Sequence, residues 1–178
     1  MTKRCAPARP CALVSLFLLL GGCVGMPDGV RPVSDFELER YLGNWYEIAR
    51  LDHSFERGLS RVTAEYSLRD DGGVRVVNRG YDAKAGKWKE SVGKAYFVED
   101  ENLGYLKVSF FGPFYGSYVV FELEQDQYQH AFISGPNTSY LWLMSRTPNV
   151  SEEVVALFLE RAEALGFETD ELIFVDQE

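Results

Sequence analysis

Between Trp45 and Thr147 the chain is cut by turn signals at nearly even intervals: DDGG (70–73), KAGK (84–87), EDENLG (99–104), FGPF (111–114), EQDQ (124–127) and SGPN (134–137). The stretches between them alternate with period two. In RVTAEYSL, Val62, Ala64, Tyr66 and Leu68 alternate with Arg61, Thr63, Glu65 and Ser67, the pattern of a strand with one buried face. Eight strands are expected, at 44–53, 61–69, 74–83, 87–98, 104–110, 115–124, 128–134 and 140–147. Short sequential antiparallel strands of this kind close into an up-and-down barrel or stack as a sandwich.

Helical signals are confined to the flanks. Ser34 and Glu37 stand at capping-box spacing with Val33 and Leu38 placed as a hydrophobic staple, predicting a short helix through Tyr41. After Pro148, Ser151 is the expected N-cap of a helix. Val154, Leu157, Phe158, Arg161, Ala162 and Leu165 share one of its faces, and Gly166 stops it. ELIFV (171–175) then reads as a last short strand added to the sheet.

The N-terminus reads as a targeting segment. Lys3, Arg4 and Arg9 precede the apolar run ALVSLFLLL (12–20), which is too short to span a bilayer. LGGC (20–23) resembles the lipobox of bacterial lipoproteins. That resemblance implies cleavage before Cys23, acylation of Cys23 as the lipid anchor, and, with Val24 following, residence in the outer membrane facing the periplasm. Residues 1–22 are therefore expected as signal peptide, 23–32 (Gly- and Pro-rich) as a tether, and 33–178 as one domain. Cys5, Cys11 and Cys23 all lie at or before the cleavage point, which leaves the domain without thiol or disulfide. Once the three basic residues of the leader are removed, 15 basic residues face 27 acidic ones, which argues against a nucleic-acid partner.

Two segments carry a family resemblance. YLGNWYEIAR (41–50) holds Gly43-x-Trp45-Tyr46 at the entry to the first strand, and YLWLMSRTP (140–148) ends the eighth with Arg146. With the strand count, the following helix, the lipobox and SFFGPFYG (109–116), the chain resembles the bacterial outer-membrane lipoprotein lipocalins. The resemblance implies an all-β fold: an eight-stranded antiparallel up-and-down barrel with a short N-terminal helix across its closed end and a C-terminal α-helix on its flank. It also implies that Trp45 and Arg146, with Gly43, are structural at the closed end. The middle signature of the family is weak here, with only Asp126-x-Tyr128 in its place.

Chemistry has little support in the pattern. His53 and His130 have no neighbours at metal-ligand spacing and are expected at the surface or the barrel rim; no metal, cofactor or catalytic residue is expected. Glu47, two residues beyond Trp45, points inward by parity and is expected to hydrogen-bond at the closed end, with Arg146 as a candidate partner. Parity further places Val62, Ala64, Tyr66 and Leu68 inside, with Leu106, Val108 and Phe110. In the sixth strand, Glu122 and Glu124 taken as outward make Tyr115, Ser117, Val119, Phe121 and Leu123 inward, and Phe111, Tyr118 and Val120 outward. The expected ligand-binding set is Tyr66, Phe97, Val108, Phe110, Tyr115, Val119 and Trp142. The resemblance implies a lipid carrier that takes the acyl chain of a fatty acid or lysophospholipid, for storage or transport in membrane maintenance. A lipid-processing enzyme on the same scaffold and a structural lipoprotein are the alternatives. The outward aromatic patch suggests a homodimer.

Overall fold

The computed structural model describes residues 24–178. Helix α1 (Leu38–Tyr41) leads into strands β1 (Gly43–Arg50), β2 (Leu59–Leu68), β3 (Val74–Asp82), β4 (Lys87–Phe97), β5 (Tyr105–Phe111), β6 (Phe114–Leu123), β7 (His130–Ser134) and β8 (Leu141–Ser145). Helix α2 (Glu152–Ala164), a short 3-10 turn and β9 (Ile173–Phe174) complete the chain. Consecutive strands pair antiparallel, and β1 pairs with both β8 and β2, so the eight-stranded barrel is closed. Closure leaves the first eight strands no free edge.

Two apolar cores result. One fills the barrel around Trp45, Tyr66, Val76, Leu106 and Ile133. The other lies outside the wall, where Phe158 and Ala162 of α2 pack on Phe132, Val119 and Leu143. Arg161, expected on the apolar face of α2, instead reaches Glu122 at 3.4 Å with half its side chain exposed. Residues 24–32, expected as a tether, lie along this outer core. The Gly25 amide donates to Ser117 Oγ at 2.8 Å, Val30 is fully buried, and Met26 packs beside it.

The predicted capping box does not form, because the backbone at 33–36 is committed elsewhere. Val33 exchanges hydrogen bonds with Val120 and Gly104, and the Phe36 amide donates to Asn102, which stretches this segment across the barrel end. Helix α1 therefore begins only after Glu37, whose amide donates to the Tyr128 hydroxyl at 3.1 Å.

At that end Trp45 is fully buried, and its Nε1 donates to the Tyr41 carbonyl at 2.8 Å. The Arg146 guanidinium lies 4.0 Å from the Trp45 ring centroid. It donates to the carbonyls of Asn44 (2.9 Å), Arg40 (2.6 Å) and Tyr128 (3.3 Å). Gly43 enters β1 at φ +92°, a left-handed conformation in which an L side chain is strained.

The barrel wall has a seam. β1 pairs with β2 only through Gly43–Tyr46; beyond it, Ala49 and Arg50 pair with β9. The C-terminal residues fill the gap. The Val175 amide donates to the Ile48 carbonyl at 2.9 Å, the Asp176 carbonyl accepts from the Arg61 amide, and Gln177 Nε2 bridges the carbonyls of Glu47 and Val62.

Arg146→Ala removes three backbone hydrogen bonds and the cation over Trp45. It is expected to cost about 2–4 kcal/mol in urea unfolding. Arg146→Lys recovers only part of this, because an ammonium cannot reach three divergent carbonyls while lying flat on an indole.

Candidate functional site

β1 leaves the closed end, so the loops after β1, β3, β5 and β7 gather at the other end, and there the barrel opens. A cavity of about 410 Å³ runs from this mouth to α1, within the range of small-molecule sites. Its wall is predominantly apolar, with Val62, Ala64, Val76, Ala95, Leu106 and Met144 among its members.

Four of the seven expected ligand residues line it: Tyr66, Val108, Phe110 and Trp142. Phe110 crosses the wall at Gly93, where an added Cβ would sit 2.8 Å from its ring. Phe97 does not reach the cavity; it packs edge-on to Phe36 at 6.1 Å in the closed end. Tyr115 and Val119 lie on the other side of the wall. Tyr115 stands near Lys94 and Lys107, and Val119 is buried against the outer core.

The cause is a bulge in β6. Its register with β7 shifts between Val120 and Glu122, so Phe121 and Glu122 both face outward and the parity before the bulge is reversed. Counting back from Glu122 is therefore correct only for Leu123. Tyr118 and Val120 point inward, and the outward patch they were expected to form with Phe111 does not exist. The exposed rings of the β5–β6 turn are Phe111 and Phe114, at 82% and 64% exposure. Leu68, expected inward, is exposed at the end of β2.

Polar groups enter the cavity at two levels. Toward α1, the Tyr118 hydroxyl lies 2.7 Å from that of Tyr41 and 2.9 Å from that of Tyr66. Burial raises all three phenols above their ordinary values, so they stay protonated and serve as hydrogen-bond donors.

Toward the mouth, Glu47 and Glu56 both line the wall and are both buried. The inward parity of Glu47 holds, but its partner is Arg50 (2.6 Å) instead of Arg146. Arg50 also donates to the carbonyls of Glu56 and Leu59. Trp142 Nε1 donates to Glu56 Oε2 at 3.2 Å. Burial and then the neighbouring Glu56 carboxylate push Glu47 up to about 8, with Arg50 opposing, and burial also raises Glu56.

His53, expected at the surface or the barrel rim, lies at the rim, buried in the loop between β1 and β2. Its ring is stacked between Phe55 (5.0 Å) and Tyr140 (5.1 Å) and lies 4.7 Å from Trp142. Burial and then Arg50 lower it to about 4, leaving the ring neutral. His130 is half-buried on β7, stacked on Phe132 at 5.8 Å.

Sequence reasoning missed Tyr41, Tyr118, Phe55, Glu56 and Tyr140. Tyr140 was within reach, because it stands two residues before Trp142 and so shares its parity. Phe55 and Glu56 belong to a loop, where no period applies.

A lipocalin-like domain model matches residues 36–177. The outer membrane lipoprotein Blc of Vibrio cholerae is 63% identical over 166 residues, covering 93% of this chain and 97% of that protein. Its namesake in Escherichia coli K12 is 54% identical, covering 85% of both chains. Temperature-induced lipocalin-1 of Arabidopsis thaliana is 36% identical, covering 79% and 78%. Among solved structures, insecticyanin from the tobacco hornworm superposes with a TM-score of 0.67 at 22% identity, covering 85% and 86%; this likeness is one of fold.

The buried acid and imidazole give stability a defined pH dependence. Glu47 favours folding fully below its ordinary value of 4.5, and that contribution is lost as pH rises through about 8. His53 contributes above its ordinary 6.5 and loses this as pH falls through about 4. The two slopes oppose each other between 4.5 and 6.5, so the urea midpoint is expected to fall from pH 6.5 to 8. Glu47→Gln should flatten that decline.

Proposed function

Because the chain belongs to the lipocalin-like family, in its branch of bacterial outer-membrane lipoproteins, we propose that it is a non-enzymatic carrier holding a single acyl chain in its barrel. The observation that carries this reading is a deep, predominantly apolar cavity, open at one end, with a phenol cluster near its floor and a carboxylate cluster near its mouth.

An alkyl chain suits such a wall. At about 0.8 kcal/mol per buried methylene, a chain of roughly 16–18 carbons contributes on the order of 10 kcal/mol before ordering costs. A fatty acid or lysophospholipid therefore binds tail-down, its head at the loops between β1 and β2 and between β7 and β8. Glu47, the one acid that parity placed inside the barrel, is engaged by Arg50, which supports a structural role for it.

Cys23, which lies outside the described residues, is the proposed lipid anchor, and storage or transport of membrane lipid follows from that placement. Of the patch on which the expected homodimer rested, Phe111 is exposed, while Tyr118 and Val120 face the barrel interior.

Titration of residues 24–178 with palmitate or a lysophospholipid is expected to give a saturable change in Trp142 fluorescence. Val108→Trp, which fills the middle of the cavity, should abolish it while the protein stays folded. A wild-type protein with no saturable response refutes the carrier. For the anchor, Cys23→Ala in the full chain is expected to prevent incorporation of labelled palmitate and to move the protein from the membrane pellet to the soluble fraction.

A further inference from the structure

The carboxylate cluster at the mouth is built for more than the end of an acyl chain. Glu56 Oε2 and His53 Nε2 face each other at 3.8 Å, beyond hydrogen-bond length, while their side chains are only 8% and 3% exposed. Among the described residues His53 Nε2 has no hydrogen-bond partner. A buried polar atom left unpaired costs free energy. Neither it nor Glu56 Oε2 satisfies the other across this gap.

The Glu56 carboxyl is equally short of partners. The neighbouring Arg50 gives Nη1 to Glu47 at 2.6 Å and Nη2 to the carbonyls of Glu56 and Leu59. Glu56 is left with the neutral Trp142 N–H. Asp52 and Arg57, the other charges of this loop, pair with each other outside at 2.6 Å. Tyr66, on β2, adds a neutral phenol. Around Glu56 the cavity wall is aromatic, formed by Phe55, Tyr140 and Trp142, and such faces attract a cation.

We infer that the mouth binds the primary ammonium of a single-chain amphiphile, an N–H donated to the Glu56 carboxyl and its charge set against the rings of Phe55, Tyr140 and Trp142. This rests on the carrier reading and deepens it. The chain fills the apolar cavity beneath, and the amine decides which lipid is held. A fatty-acid carboxylate placed at the same point meets the Glu56 carboxyl and the electron-rich faces of three rings, so free fatty acids bind less tightly than amino lipids.

The test uses residues 24–178, which contain the complete barrel and both cores, and lipids of one acyl length. Lysophosphatidylethanolamine is expected to bind at least about tenfold tighter than lysophosphatidylglycerol, the scale of one charge-assisted hydrogen bond. Acetylating its amine should erase the difference without any change to the protein. Glu56→Gln should weaken lysophosphatidylethanolamine and leave lysophosphatidylglycerol unaffected. Hexadecylamine, which carries the ammonium without a phosphate, should bind and be weakened by Glu56→Gln in the same proportion. Equal binding of the acetylated and free amines overturns the inference, as does hexadecylamine binding insensitive to Glu56→Gln. If both phospholipids bind equally, the carrier stands and the ammonium site falls. If neither binds saturably, the carrier falls with it.

Discussion

The fold depends on one guanidinium. Arg146, at the end of the last barrel strand, lies flat on Trp45 of the first and hydrogen-bonds backbone carbonyls at Arg40, Asn44 and Tyr128. Those carbonyls belong to α1, to β1 and to the loop between β6 and β7, so a single planar group ties three separate elements where the sheet meets itself. Lysine could supply the charge but not the fork. With this end pinned, side chains need not fill the barrel to hold its shape, and a cavity runs from the mouth to α1.

The interior of that cavity follows a simple electrostatic rule. Apolar side chains form most of the wall, and each polar group within it is either neutral or balanced by a neighbour. The three phenols are kept protonated by burial, so they add donors without adding charge. The acids are concentrated near the mouth, where Arg50 of β1 donates to Glu47 and Trp142 of β8 donates to Glu56. The lower wall, toward α1, carries phenols but no carboxylate.

Much of this was legible in the chain. The turn spacing located all eight strands within a few residues, and the GxW and Arg segments fixed which end was closed. Parity correctly turned Tyr66, Val108, Phe110 and Trp142 inward. It failed in β6 for a definite physical reason. A bulge near Phe121 places two successive side chains on one face, and nothing in FELE distinguishes a bulged strand from a regular one. One misplaced residue then reversed Tyr115, Tyr118, Val119 and Val120 together, and with them the supposed outer patch. The mouth was hidden for a different reason. Its loop, with His53, Phe55 and Glu56, takes its conformation from stacking against Tyr140 and Trp142, residues distant in sequence. The failed capping box is a third case, in which tertiary hydrogen bonds at Val33 and Phe36 outweighed a local signal.

The seam between β1 and β2 gives the barrel an order in time. Along the far half of the first strand one edge is met by β8 and the other by Ile173 to Gln177. Such pairings span nearly the whole domain, and contacts of that separation are the slowest to form. A folding chain can therefore assemble the wall from β2 through β8 and still carry a slit beside the mouth. The wall beside the mouth is complete only once this segment has docked, so a chain in which it is displaced would possess every wall residue of the cavity and yet leak.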